Sequence, residues 1–168
     1  MKSLIMVAVL AATGYGAPQR SAEINFININ QSNKKQMKND AKSIVMDFLT
    51  AVQHGDNGKI DSLLSDKIEW IQPGNNRVSG LKKSKSEVFQ MVAKMFELSA
   101  NTLKLTQIKS ISVNGNRIAC VVHWNGTQPP GGILDVDNID VYTVEHGQIV
   151  EAEVFSANLA EEDKFWGN

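Results

Sequence analysis

TLKLTQIKSISVNGNRIACVVHWNGTQPPGGILDVDNIDVYTVEHGQIVEAEVF, residues 102–155, is the stretch whose reading decides the fold. Apolar and polar residues alternate from Leu103 to Val113, from Arg117 to Asn125, from Ile133 to Val144 and from Gln148 to Phe155. A period of two is that of strands with one buried face. Asn114-Gly115-Asn116 lies between the first two runs and Glu145-His146-Gly147 between the last two. Asn and Gly tolerate the positive φ of tight hairpin turns, so each triplet predicts an antiparallel connection. Gly126 to Gly132, GTQPPGG, makes the longer link between the two hairpins.

Upstream the periodicity changes. Met37, Ala41, Ile44, Val45, Phe48, Leu49 and Val52 recur at the three-and-four spacing of one helical face, and Gly55 stops that helix near His54. Asp56 sits at an N-cap before Ile60, Leu63 and Leu64, giving a short second helix that closes at Ser65-Asp66. Lys67 to Gln72 alternates as a strand, broken by Pro73-Gly74-Asn75-Asn76. A third helix follows, capped by Ser84 or Ser86, with Val88, Met91, Val92, Met95, Phe96 and Leu98 as its buried stripe. Helices at one end of the chain and hairpins at the other predict an α+β domain, with three N-terminal helices packed on a mainly antiparallel sheet.

Further toward the N-terminus, Lys2 precedes the apolar run Leu4 to Ala12 and the small residues Gly14 and Gly16, the layout of a secretory signal peptide. We therefore expect residues 1–16 to be a signal peptide, 17–36 a polar, partly ordered leader, 37–160 the folded domain and 161–168 a C-terminal tail. The expected location is exported, periplasmic or secreted, with no membrane attachment after cleavage. With 17 Lys plus Arg against 18 Asp plus Glu and no long basic block, nucleic acid is not an expected partner. A single cysteine, Cys120, excludes an intramolecular disulfide, and three histidines are too few for the common zinc sites. No metal and no cofactor are expected.

Three stretches, DFLTAVQHGDNGKIDSLLSD (47–66), KIEWIQPGNNRVSGLKKSKSEVFQMV (67–92) and NIDVYTVEHGQIVEAEVF (138–155), resemble the SnoaL-like, nuclear-transport-factor-two-like superfamily, which includes ketosteroid isomerase. The resemblance implies a cone-like fold on a strongly curved sheet, and members commonly form homodimers through the sheet face. In the isomerase branch it implies a base before a proline on the first strand, a Tyr on the first helix and a protonated Asp on a later strand. Those positions are Gln72, Phe48 and Asp140 here, so only the last matches. An amide abstracts no carbon-bound proton and a phenyl ring donates no hydrogen bond, which removes two of the three isomerase groups.

Strand parity then places Asn138, Asp140 and Tyr142 on one face, and Trp70 with Gln72 on another wall of the same cup. The resemblance adds Val122 and Trp124, rather than His123, to the inward face. The expected pocket is lined by Phe48, Trp70, Gln72, Trp124, Asn138 and Tyr142 around Asp140, and binds a small, largely hydrophobic molecule. Two alternatives stand beside that reading. One is a lyase, isomerase or hydrolase using Asp140, with His123 if the register slips by one, as acid or base. The other is a non-catalytic dimerisation domain.

Overall fold

The computed structural model describes residues 40–167. The expected signal peptide, the leader, the Met37 start of the first helix and Asn168 lie outside the described residues.

Helix α1 covers residues 40–54, and Gly55, at φ +67°, ends it. Ala41, Val45, Phe48 and Leu49 are its buried face. Helix α2, Asn57–Leu63, starts at the Asp56 side chain, which accepts from the Lys59 amide. It is shorter than its sequence pattern suggests. Leu64 is 1% exposed and pairs with Ile149, so burial in the sheet takes the chain out of the helix one residue after Leu63.

Strand β1 is Leu64–Gln72 and β2 is the short Gly80–Lys82. Helix α3, Lys85–Leu98, is capped by Ser84, whose hydroxyl accepts from the Glu87 amide, while the Glu87 carboxylate reaches back to the Lys83 amide. Its buried residues are Val88, Met91, Met95 and Leu98. Phe96, expected in that stripe, is 39% exposed.

Strands β3 (Lys104–Asn114), β4 (Arg117–Gln128), β5 (Gly132–Glu145) and β6 (Gln148–Ser156) follow. Both hairpins turn where the sequence places them: Asn114 pairs with Arg117 around Gly115 at φ +64°, and Glu145 with Gln148 around His146 and Gly147 at φ +50° and +82°. The sheet order is β2-β1-β6-β5-β4-β3, with β1 and β6 parallel and all other neighbours antiparallel. Among the described residues the architecture is an α+β domain with a six-stranded mixed sheet and four helices.

The fourth helix corrects the sequence reading. The sequence pattern predicts a tail over 161–168, yet α4 spans Leu159–Trp166 and buries Glu162, Phe165 and Trp166. Asn158 caps it: its side chain accepts from the Glu161 amide and donates to the Glu161 carboxylate at 2.8 Å. Two ties hold α4 to the β1–β2 loop. Asp163 Oδ1 accepts from the Asn75 amide at 2.8 Å and from Asn76 Nδ2 at 2.7 Å, and Arg77 Nε donates to the Trp166 carbonyl at 2.9 Å. Gly74 makes that approach possible, since a Cβ there would stand 2.2 Å from Asp163 Oδ1. Among the described residues, no helix is long and apolar enough to cross a membrane.

Candidate functional site

One face of the sheet and the four helices enclose a cavity of about 670 Å³. All seven residues of the expected pocket line it: Phe48 from α1, Trp70 and Gln72 from β1, Trp124 from β4, and Asn138, Asp140 and Tyr142 from β5. The register explains their convergence. Tyr142 stands opposite Ala152 on β6, and Ala152 stands opposite Trp70 on β1. The intervening methyl is small enough for the two large rings to meet over it, at a centroid distance of 6.2 Å. Phe48 lies against both, edge-on, at 5.6 Å from Tyr142 and 6.4 Å from Trp70. Edge-to-face contacts in this range are favourable because positive ring edges meet negative faces.

The polar groups sit among these rings. Tyr142 Oη donates to Asp140 Oδ2 at 2.9 Å, both residues being almost wholly buried. Trp70 Nε1 donates to Gln72 Oε1 at 3.2 Å. The Asp140 carboxyl is pushed up to about 7, first by burial, which disfavours its charged form, and then by the nearby Glu162 charge, against the lowering effect of the Tyr142 hydrogen bond. Burial and the Asp140 charge raise the Tyr142 phenol in turn. Cys120, opposite Asp140 on β4, is pushed up to about 12 by burial and by the same carboxyl, so it is an inert thiol.

Glu162 is a carboxylate lining residue absent from the expected pocket, because the sequence pattern reads its segment as a tail. It is 3% exposed and lines the cavity from α4, with its Oε2 accepting from Trp166 Nε1 at 3.4 Å. A signal was present in the sequence: Asn158 and Glu161 have the spacing of a capping box, and Phe165 with Trp166 follows one turn later.

His123 does not reach the cavity. Its Nδ1 is 2.6 Å from Asp137 Oδ1 and its Nε2 is 2.8 Å from Asp135 Oδ1, on the opposite side of β4 and β5, where Lys109 also pairs with Asp137. The parity that points Trp124 inward points its neighbour outward, so the slipped register is not adopted. His54 and His146 are exposed. Among the described residues no group of three or more His, Cys, Asp or Glu is arranged to hold a metal ion.

A family model, the SnoaL-like domain, matches residues 45–152. The chain belongs to the SnoaL-like domain family. A Xanthomonas campestris protein of unknown function with a cystatin-like fold has 32% identity to this SnoaL-like chain, covering 76% of it and 98% of its own length, with a TM-score of 0.73. An NTF2-like protein from Burkholderia xenovorans LB400 superimposes with a TM-score of 0.65 at 18% identity, over 77% of this chain and 98% of the other. TerC, solved with polyporic acid, does so with a TM-score of 0.66 at 14% identity, over 76% and 99%. No curated protein matches the chain.

Proposed function

We propose that this SnoaL-like domain is exported and binds a small, largely hydrophobic molecule in its cavity, closed cone-like by the helices over the sheet. One observation carries the reading: a volume of about 670 Å³ survives inside the domain, lined by Trp, Phe and Tyr rings together with aliphatic and Met side chains. A core with no such role would be expected to collapse into a space of that size, because protein interiors pack to crystal-like density. Gln72, Asn138 and Asp140 orient the polar end of the ligand. The resemblance aligns Gln72 and Phe48 with the base and the Tyr of the isomerase branch, so steroid isomerisation is not the proposed chemistry. The fold shared with TerC, which has been solved with polyporic acid, supports a cavity of this kind.

A second reading rests on Asp140 alone. A carboxyl brought up to about 7 and held by the Tyr142 hydroxyl is present in both protonation states near neutrality, as a general acid or base requires. Asp140→Asn separates the two readings. It leaves binding of a neutral ligand within about tenfold, or about 1.4 kcal/mol, and abolishes acid–base turnover.

The outward sheet face carries exposed Ile71 and Leu81, opposite each other on β1 and β2, and exposed Ile139 and Phe155, opposite each other on β5 and β6. We assign this face to a second copy of the chain, and Val141→Asp in its midst is expected to give monomers. Native mass spectrometry of protein purified from its own host tests both proposals at once. A doubled subunit mass with a small-molecule adduct lost on unfolding is the expected result. A bare monomer under the same conditions would overturn the dimer and turn the search to fast-exchanging substrates.

A further inference from the structure

Among the described residues, three buried side-chain atoms lack a hydrogen-bond partner, and all three are oxygens: Asn138 Oδ1, Asp140 Oδ1 and Glu162 Oε1. All three residues line the one aromatic cavity, from two different elements, β5 and α4. Unmet acceptors of this kind cost about 1–3 kcal/mol each, and more where the group is charged, so three in one place call for a donor that the neighbouring side chains do not supply. The positive charges that could answer them stand elsewhere. Lys104 and His54 touch the cavity, but both are solvent-exposed, whereas Asp140 and Glu162 are each 3% exposed. The other carboxyl oxygens of the pair are already served, by Tyr142 Oη and Trp166 Nε1.

From this geometry we infer that the ligand is an organic cation, a protonated amine on an apolar body, with its ammonium group held by the free oxygens of Asp140, Glu162 and Asn138. The inference rests on the binding reading above and deepens it by naming the ligand class. The aromatic walls suit the same ligand, since the faces of Trp and Tyr rings attract cations as well as covering hydrocarbon. An ammonium group has three donors and no acceptor, which is the complement of three oxygens in need of donors. At pH 8, above the Asp140 midpoint of about 7, a carboxylate ligand would meet two like charges in a low-dielectric cup and is disfavoured by them.

The experiment compares three probes of one shape, phenylbutylamine, phenylbutanol and phenylbutyrate, by isothermal titration calorimetry at pH 8, where an alkylamine of pKa about 10 is charged. The unaltered protein should bind the amine at least tenfold more tightly than the alcohol, with the butyrate weakest. D140N and E162Q should each remove most of that preference, read as the ratio of amine to alcohol affinity in the same variant, while the alcohol still binds within the roughly tenfold expected of a neutral ligand, which also shows that the cavity is intact. Equal or tighter binding of the alcohol or the butyrate would overturn the cation inference and leave the pocket standing. An amine preference that survives both substitutions would also overturn it, by placing the amine elsewhere. Failure of all three probes to bind would overturn the pocket along with it. The three-probe comparison decides the matter on the unaltered protein even if a variant does not fold.

Discussion

Replacing Asp140 with Asn should change how the stability of the protein depends on pH, with a sign and a window that follow from the site. In the folded chain the carboxyl is pushed up to about 7, whereas in the unfolded chain it returns to its ordinary 3.8. Between those values the folded state keeps a proton that the unfolded state has released, so stability falls as pH rises. The contribution is fully present below pH 4, is lost progressively from about pH 4 to about pH 7, and is constant above that. At about 1.36 kcal/mol for each pH unit in the window, the loss reaches about 4 kcal/mol, a large part of the 5–15 kcal/mol typical of a domain. Asn has the same shape, keeps an acceptor for the Tyr142 hydroxyl and does not ionise. Urea unfolding of the two proteins from pH 4 to pH 9 should therefore show a difference that grows in favour of D140N by up to about 4 kcal/mol, or about 2 M in midpoint. A difference that stays constant within about 0.5 kcal/mol across that range would refute the claim that burial pushes this carboxyl up to about 7.

Glu162→Gln removes a charge that helps to raise Asp140, so the Asp140 midpoint, followed by carboxyl-carbon NMR, should move below about 7 yet stay above 3.8, because burial is the larger cause. An unmoved midpoint would mean that the two carboxyls do not sense each other. Asp163→Ala takes the acceptor away from the Asn75 amide and Asn76 Nδ2, at a cost of about 1–3 kcal/mol, and should speed tryptic cleavage at Lys164 as α4 loosens. Unchanged cleavage would show that the Arg77 tie and the buried Phe165 and Trp166 hold α4 without Asp163. Cys120 is wholly buried and pushed up to about 12, so a disulfide reagent at pH 8 should label it at least about a hundredfold more slowly in native protein than in urea. Rapid native labelling would show that β4 is open to solvent at that point.

Much of this protein was legible in local patterns. The turns at Gly115 and at His146-Gly147 need a positive φ that few residues tolerate, so the hairpins could be placed to the residue. The Ser84 and Asp56 caps answer amides that every helix start leaves open. Strand parity is set by backbone geometry, so Asn138, Asp140 and Tyr142 had to share a face, and His123 had to leave the one that Trp124 joins. Other features depend on residues far apart in the chain, and only the tertiary structure decided them. The parallel pairing of β1 with β6 brings Trp70 beside Ala152, and the small Ala152 lets the Trp70 and Tyr142 rings touch. The end of α2 at Leu63 is imposed by the burial of Leu64 against β6, which overrides a helical pattern that runs on. Above all, Glu162 faces Asp140 because Asp163 and Trp166 tie α4 to the loop at Asn75–Arg77, more than eighty residues earlier. No local propensity encodes that meeting. It arises because Phe165 and Trp166 must be covered, and burying them carries the carboxyl into the cavity.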